Sequence, residues 1–171
     1  MSILEIIKKR RSIRALEKRE IPKEVLEELK EALIWAPSAG NLQSRKFYFI
    51  FNEKIKKQLV EEAGIQDFVL QAPLVIIGCC DLEKIAWYGK RGINLYSICD
   101  VSTSIENLMI MATEKGLGTC WVGTFDERKV SEILNLSKNL RPIVIVPVGF
   151  PSEKPSAPPR VSVGKAVEVL K

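Results

Sequence analysis

The spacing of apolar residues along the chain predicts a series of amphipathic helices. These cover residues 2–9, 21–37, 53–64, 95–115 and 126–136. In the second, Pro22 suits the first helical turn and Pro37 stops the helix. Its expected inward positions are Val25, Leu26, Leu29, Leu33 and Ile34. Gly64 and Asp126 are typical of a helix end and a helix start respectively.

Runs rich in β-branched and aromatic residues predict strands between these helices. They cover residues 45–52, 74–80, 118–123 and 141–151. Because strands and helices do not alternate in a βαβ rhythm, their order favours an α+β fold with a central, mostly antiparallel sheet flanked by helices. No repeat or linker divides the sequence, so we predict a single domain over residues 1–171.

Two features of the pattern point to a second copy of the chain. The helix over residues 95–115 has apolar residues on more than one face, and such a helix is buried on several sides. Residues 152–171 begin proline-rich and then become apolar again. We therefore expect residues 152–171 to form a C-terminal arm that packs on a partner subunit.

Composition narrows the class of protein. With 171 residues, 46% hydrophobic and 27% charged, the chain resembles an ordinary globular domain. No apolar run reaches the roughly 18 residues of a membrane span. The N-terminus runs from apolar to basic, the reverse of a secretory signal. We expect a cytoplasmic protein with no membrane partner.

The complete absence of histidine removes several kinds of site. It excludes a Ser-His-Asp triad, a histidine general base and a histidine-ligated metal. No CxxC pair occurs, and Cys79 and Cys80 end a predicted buried strand, so no metal site is expected. The net charge of +5 comes from scattered cations without interleaved aromatics, so we expect no nucleic-acid partner.

Residues 8–14, KKRRSIR, place five cationic side chains in seven positions. The candidate ligands are Arg10, Arg11, Ser12 and Arg14. Ser12 and Arg14 point to the same side of an extended backbone. Arginine forks and a serine hydroxyl bind phosphate oxygens well, so the stretch predicts an anion site. Taken alone, the same residues fit a solvated, charged helix end better than an anion site.

Residues 36–43, APSAGNLQ, form the second candidate segment. A helix stop followed by small and amide residues brings backbone N–H groups, Ser38 and Asn41 toward a flat polar ligand. An ordinary turn is the alternative interpretation of this segment.

Two later features complete the candidate chemistry. In GLGTCWVG, residues 116–123, glycines allow close approach of the backbone to a ligand, and Val122 and Gly123 lie at a strand end. Arg160 is a late cation that can close the site over an anionic group. A plain surface arginine is the alternative for Arg160.

Together these stretches resemble the FMN-dependent nitroreductases. The resemblance is carried by RRSIR (10–14), APSAGNLQ (36–43), QAPLVIIGCCD (71–81), NLMIMATEKGLGTCWVG (107–123), PIVIVPVGFP (142–151) and PPR (158–160). They stand in the family's order and spacing and span essentially the whole chain. The resemblance favours the anion site over the solvated helix end.

The resemblance implies a nitroreductase-like fold in which an interlocked homodimer binds FMN at two interface sites. The residues that match phosphate and ribityl contacts are Arg10, Arg11, Ser12 and Arg14, with Arg160 as a later phosphate ligand. Arg14 also matches a contact to the pyrimidine side of the ring. The residues that match contacts from the other subunit are Pro37, Ser38, Ala39 and Asn41. Val122 and Gly123 match the place where a backbone N–H faces flavin N5.

The sequence departs from the family pattern at three places. Ser44-Arg45 stands where the family often has Pro-Trp. The segment around residues 65–68 lacks the Asn and Lys that some members use on the flavin, and Gln66 is the candidate replacement. Little chain lies between residues 74–80 and the long helix, where the family usually builds a lid over the substrate.

The resemblance implies an FMN-dependent NAD(P)H oxidoreductase. NADH or NADPH gives hydride to the flavin, and a nitroaromatic, quinone or similar small acceptor then takes it by ping-pong transfer. The flavin carries the chemistry, with Gly123 N–H near N5 and Arg14 as electrostatic support, so no catalytic side chain is expected. Two alternatives stay open: a flavin-binding dimer without turnover, and a specialised superfamily enzyme of unknown substrate.

Overall fold

A computed structural model describes residues 1–171 and shows one antiparallel sheet. Its strands are β1 Leu16–Glu17, β2 Arg45–Ile50, β3 Leu74–Asp81, β4 Gly118–Thr119 and β5 Leu140–Pro151. They are arranged in the order β1-β5-β3-β2, and β4 pairs with β5 beside this path. All four strand pairings are antiparallel, which confirms the predicted α+β class.

Helices cover both faces of the sheet. They are α1 Ile3–Lys9, α2 Lys23–Ile34, α3 Glu53–Ala63, α4 Gly89–Arg91, α5 Ser97–Glu114, α6 Glu127–Ile133 and α7 Val163–Ala166. Three of them begin at side-chain caps, in which Ser2, Asn52 and Asp126 accept hydrogen bonds from backbone N–H groups of the first turn. No helix combines the length and hydropathy needed to cross a membrane.

Strand β3 lies at the centre of the core. Its residues alternate between two apolar clusters: Val75 and Ile77 pack with α3 and α6 on one face, whereas Leu74 and Ile76 pack with α2 and α5 on the other. Cys79 and Cys80 divide between the two clusters in the same way and are fully buried, as the sequence predicted. Burial on both faces explains why LVIIGCC is apolar without alternation.

Close packing at Gly78 fixes the position of the long helix. A Cβ atom at Gly78 would lie 2.9 Å from a methyl of Val101 in α5 and 2.8 Å from a methyl of Val144 in β5. Helix α5 therefore crosses β3 at a distance that only glycine allows.

Several predicted elements differ in extent from those observed. The predicted strand over residues 118–123 is reduced to β4 and an isolated bridge between Val122 and Ile145. Helical backbone begins before the predicted start of the long helix, because α4 and a π-helical turn at Gly92–Tyr96 lead directly into α5. A 3₁₀ turn at Asp67–Gln71 precedes β3.

Some residues predicted to face the core are exposed. In α2, Leu29 and Leu33 are buried one helical turn apart, whereas Ile34 is 57% exposed. One further residue rotates a helical side chain by about 100°, which carries Ile34 away from α5. In α1, helical spacing places Ile3, Ile6 and Ile7 on one apolar face, yet Ile6 alone is buried and Ile3 and Ile7 are exposed.

The C-terminal arm carries little of the core of this chain. Every residue over 154–171 is exposed, and α7 buries none of its side chains. Its apolar residues Val161, Val163, Val167, Val169 and Leu170 are 57% to 87% exposed.

Candidate functional site

The cationic segment and the C-terminal arm form one cavity of about 280 Å³. Its lining residues are Arg10, Arg11, Ser12, Arg14, Pro155, Ser156, Pro158 and Arg160. None of these residues is acidic. Four guanidinium groups therefore surround the cavity, and no lining side chain carries a negative charge. The structure thus brings together all five residues that the sequence predicted as phosphate ligands.

The path of the backbone explains how this arrangement arises. Helix α1 ends at Arg10, whose N–H donates to Ile6 O at 3.0 Å. The chain then extends, and Ile13 N–H donates to Thr119 O at 2.9 Å while Ser12 pairs with Thr119 in a parallel bridge. Ile13 is buried, so Ser12 and Arg14 on either side of it point the other way, into the cavity.

Neighbouring groups leave much of this positive charge uncompensated. Arg10 Nε lies 3.8 Å from Glu106 Oε1, which is its one ion pair. The Arg11 guanidinium donates to the carbonyls of Lys8 and Arg10 at 2.6 and 2.7 Å. Glu153 accepts from the backbone N–H groups of Arg14 and Ala15, and no carboxylate pairs with the Arg14 or Arg160 side chain. An anion is the ligand that this environment favours.

The side chains of Cys120 and Thr119, next to the bridge, are buried and uncharged. Burial raises the pKa of the Cys120 thiol, although the positive charge of Arg14 and a hydrogen bond from Ser12 act in the opposite direction. Thr119 Oγ1 is buried and has no hydrogen-bond partner in the chain. This orphaned hydroxyl lies directly beside the segment that carries the arginines.

The second candidate segment lies at a different cavity, of about 230 Å³. Its lining residues are Pro37, Ser38, Ala39, Tyr96, Cys99, Asp100 and Thr103. Residues Ala39–Asn41 form a 3₁₀ turn in which Gly40 and Asn41 both have φ of 55°. A Cβ at Gly40 would lie 2.5 Å from Tyr88 Oη, so both the backbone angle and this contact favour glycine at the position.

The remaining predicted residues lie outside both cavities. Val122 exchanges both backbone hydrogen bonds with Ile145, at 2.9 and 3.0 Å, so its N–H is not free for a ligand. Gly123 is exposed, and its N–H has no acceptor in the chain. Gln66 is exposed at the start of the 3₁₀ turn at Asp67–Gln71 and lines neither cavity.

Four residues in or under these segments were not predicted as site residues from the sequence. Pro155 and Ser156 complete the arginine cavity, and nothing in their own sequence context marks them. Arg45 and Asp100 lie buried beneath residues 36–44. The position of Asp100 near the start of a helix predicted to be buried on several sides was the available signal.

The sequence and the fold were compared with known proteins. Residues 7–150 match the profile of the Nitroreductase family. A protein of Methanothermobacter thermautotrophicus, provisionally named NADH dehydrogenase/NAD(P)H nitroreductase, is 30% identical over 161 residues, or 91% of this chain and 80% of that protein. The FMN reductase [NAD(P)H] of Bacillus subtilis is 25% identical over 169 residues, or 88% of this chain and 66% of that enzyme.

The fold comparison agrees with the sequence comparison. The crystal structure of a nitroreductase family protein from Clostridium difficile 630 superimposes with a TM-score of 0.85, at 33% identity, and the match covers 98% of each chain. The profile match spans most of this sequence and includes both candidate segments, residues 10–14 and 36–43. The chain therefore belongs to the Nitroreductase family of oxidoreductases, as its motifs predicted.

Proposed function

We propose that this protein is an FMN-dependent NAD(P)H oxidoreductase that reduces nitroaromatics, quinones or similar small acceptors. The observation that carries the proposal is the cavity lined by Arg10, Arg11, Arg14 and Arg160 together with Ser12. Phosphate is a dianion with three oxygen acceptors, and this lining offers guanidinium forks and a hydroxyl, of which only Arg10 is paired with a carboxylate. The residues present therefore fit the phosphate end of FMN.

The remaining contacts to FMN are assigned to the other candidate residues. We assign Pro37, Ser38, Ala39 and Asn41 to the flavin contacts of a partner subunit, and Gln66 to a further polar contact. Gly123 offers its free N–H to flavin N5, and Arg14 places positive charge beside the ring. The bonded N–H of Val122 limits that residue to a backbone and packing role.

The protein's own contribution to the reaction is binding and orientation. When bound, FMN supplies hydride transfer between NADH or NADPH and the acceptor in ping-pong order. The chain holds no histidine, so water is the proton source in this proposal. Ser12 and the arginines hold the phosphate, while the segment after Pro37 and Gly123 restrict the orientation of the ring.

A homodimer is part of the proposal. The exposed apolar residues of the C-terminal arm need a surface to cover them, and a second chain offers an equivalent one. In a dimer, the arginine cavity of one subunit and the segment 36–43 of the other would complete each of two sites. This arrangement accounts for the separation of the two candidate cavities within one chain.

The test is a reductant titration of the purified protein reconstituted with FMN. We expect the protein to retain FMN through gel filtration and the oxidised flavin absorbance to bleach within seconds of adding NADH or NADPH without oxygen. Bleaching reversed by a nitroaromatic or a quinone supports the enzyme. A protein that retains FMN but does not bleach is the flavin-binding dimer without turnover. A protein that remains colourless with excess FMN contradicts the proposal.

A further inference from the structure

The buried Arg45 side chain holds the segment after α2 by its carbonyl groups. Arg45 is 9% exposed, although it carries a charge. Its guanidinium donates to the carbonyl oxygens of Ala36 at 2.8 Å, Ile34 at 2.9 Å, Pro37 at 3.1 Å and Asp100 at 3.4 Å. The carbonyls at the C-terminal end of α2 have no partner within the helix, and Arg45 supplies one.

The buried Asp100 side chain holds the same segment by its N–H groups. Asp100 lies in α5 and is 3% exposed. Its Oδ1 accepts from Ala39 N–H at 2.9 Å, and its Oδ2 accepts from Ser44 N–H at 3.3 Å and Ser44 Oγ at 2.7 Å. Ala39, at the start of the 3₁₀ turn, and Ser44, which follows its end, are therefore held by one carboxylate on the long helix.

The two charges act on the backbone and do not pair directly with each other. No ion pair within 4.0 Å joins Arg45 to Asp100. Burial lowers the pKa of Arg45, and the nearby negative charge of Asp100 opposes this shift. Each charge is instead stabilised by hydrogen bonds to residues 34–44, because a buried charge without such partners is strongly unfavourable.

This arrangement determines which polar groups of the segment remain available. Asn41 and Leu42 donate to Ser38 and Ala39 within the turn, and Gln43 N–H donates to Ser38 Oγ. The N–H groups of Ser38 and Gly40 have no acceptor in the chain. These two donors are available to a ligand, as is the Asn41 side chain, whose Oδ1 accepts only a long bond from Gln43 Nε2 at 3.5 Å.

We propose that Arg45 and Asp100 are positioning residues that orient the free donors of Ser38 and Gly40 toward FMN, an inference that rests on the function proposed above. Ser44 N–H donates to Asp100, and a proline at that position has no N–H to donate. Ser44 and Arg45 thus hold the segment through hydrogen bonds that a Pro-Trp sequence at these positions does not provide.

The test compares variants that affect the segment with a variant that affects only stability. Arg45→Met keeps an unbranched, flexible side chain but removes the charge and every donor, and Asp100→Asn keeps its shape but replaces an acceptor with a donor. We expect either variant to weaken FMN binding about tenfold or more and to alter the shape of the bound flavin's visible absorbance band. Arg45→Lys retains a charge and three donors, so it should recover part of the affinity.

Leu59→Ala is the matched control, because Leu59 is fully buried on the opposite face of the sheet. It should lower the melting temperature but leave the FMN dissociation constant and the absorbance band unchanged at a temperature where all variants are folded. If Arg45→Met does not fold, Ser44→Ala, which removes the 2.7 Å bond to Asp100, should still weaken FMN binding about two- to tenfold.

The outcomes separate this inference from the proposed function. Arg45 and Asp100 variants that bind FMN with wild-type affinity and an unchanged absorbance band would overturn the positioning role while the proposed function stands. A wild-type protein that does not bind FMN would overturn both. Weakened binding in the Arg45, Asp100 and Ser44 variants, with none in Leu59→Ala, supports the inference.

Discussion

Ser12 and Thr119 form a parallel β-bridge that joins the arginine segment to the end of the short strand β4. Beside it, Ile13 N–H donates to Thr119 O at 2.9 Å, and the Ile13 side chain packs against Gly118. Because Ile13 lies between Ser12 and Arg14, the packing of one buried isoleucine sets the direction of two cavity-lining side chains.

Replacement of Gly118 by alanine tests this relationship. A Cβ at Gly118 would lie 2.9 Å from three side-chain atoms of Ile13. We expect Gly118→Ala to reduce the free energy of unfolding by about 1–3 kcal/mol and to weaken FMN binding, because Ile13 must move. Urea denaturation and FMN titration measure the two effects. Lys57→Ala, at an exposed position of α3 that lines neither candidate cavity, is the control. Unchanged stability and affinity in Gly118→Ala would contradict the packing argument.

Replacement of the cavity arginines tests the phosphate assignment. Arg14 and Arg160 line the cavity without an acidic partner, so both guanidinium groups are available to an anion. We expect Arg14→Ala or Arg160→Ala to weaken FMN binding about ten- to a hundredfold, the equivalent of a charge-assisted hydrogen bond of about 1.5–3 kcal/mol. Equilibrium dialysis with FMN gives the dissociation constants.

Arg128→Ala is the matched control for this comparison, since Arg128 is a surface arginine paired with Glu132 in α6. Its removal lowers the net charge by the same amount but should leave FMN affinity unchanged. If Arg128→Ala and Arg14→Ala weaken FMN binding equally, the weakening comes from the lower net charge of the protein, and the phosphate assignment is wrong.

Local patterns predicted most of the fold. The capping of α6 by Asp126 and the burial of β3 depend on neighbouring residues and on hydropathy, which the sequence displays directly. The convergence of Arg10–Arg14 with Arg160 was predicted by motif resemblance alone, since no local rule relates positions so distant in the chain. The structure places these residues in one cavity.

Long-range contacts account for what the sequence did not predict. Asp100 and Ser44 are 56 positions apart, and their hydrogen bond depends on how α5 crosses the sheet. The left-handed backbone at Gly40 and Asn41 belongs to the same segment, whose flanking residues Ala39 and Ser44 bond to Asp100. Of the predicted strand over residues 118–123, only Gly118 and Thr119 pair with β5 as a strand. Val122 adds a single bridge to β5, and the other residues leave the sheet.

Thiol accessibility provides an independent test of burial. Burial raises the pKa of the Cys79 thiol to about 12 and raises the pKa values of Cys80 and Cys120, whereas Cys99 is exposed. A raised thiol pKa means a smaller thiolate fraction and slower alkylation. We expect iodoacetamide at about pH 8 to modify only Cys99 in the folded protein, as read by peptide mass spectrometry. Cys99→Ser should leave no reactive thiol until denaturant is added, and rapid modification of Cys120 would contradict the structure.

The ion pair between Glu127 and Arg141 predicts a defined pH dependence of stability. Arg141 donates two hydrogen bonds, at 2.8 and 2.9 Å, to the Glu127 carboxylate and lowers its pKa below the usual 4.5. A carboxyl whose pKa is lower in the folded state stabilises the protein above its unfolded pKa, and this stabilisation is lost as the pH falls through the folded pKa. Both side chains are over 40% exposed, so screening limits the contribution to about 1 kcal/mol or less.

We therefore expect Glu127→Gln to be less stable than wild type by up to about 1 kcal/mol near neutral pH, with the difference shrinking in acid, well below the ordinary pKa of glutamate. Urea denaturation at both pH values gives the two free energies of unfolding. Glu17→Gln, at a position with no ion pair, should show no such convergence. A difference between wild type and Glu127→Gln that persists in acid would exclude the ion pair as its cause.

Truncation of the C-terminal arm tests the proposed dimer separately from the phosphate site. Removing residues 161–171 eliminates the exposed apolar residues of the arm but keeps Arg160 and the rest of the cavity lining. Since no residue over 161–171 is buried in its own chain, the truncated protein should keep a cooperative unfolding transition. We expect it to change from dimer to monomer in sedimentation velocity and to lose FMN affinity, because each site then lacks residues 37–41 of a partner.

A conservative control is Lys171→Ala, which leaves the apolar residues in place and should remain dimeric. A truncated protein that is still a dimer with full FMN affinity would show that the arm does not hold the subunits together.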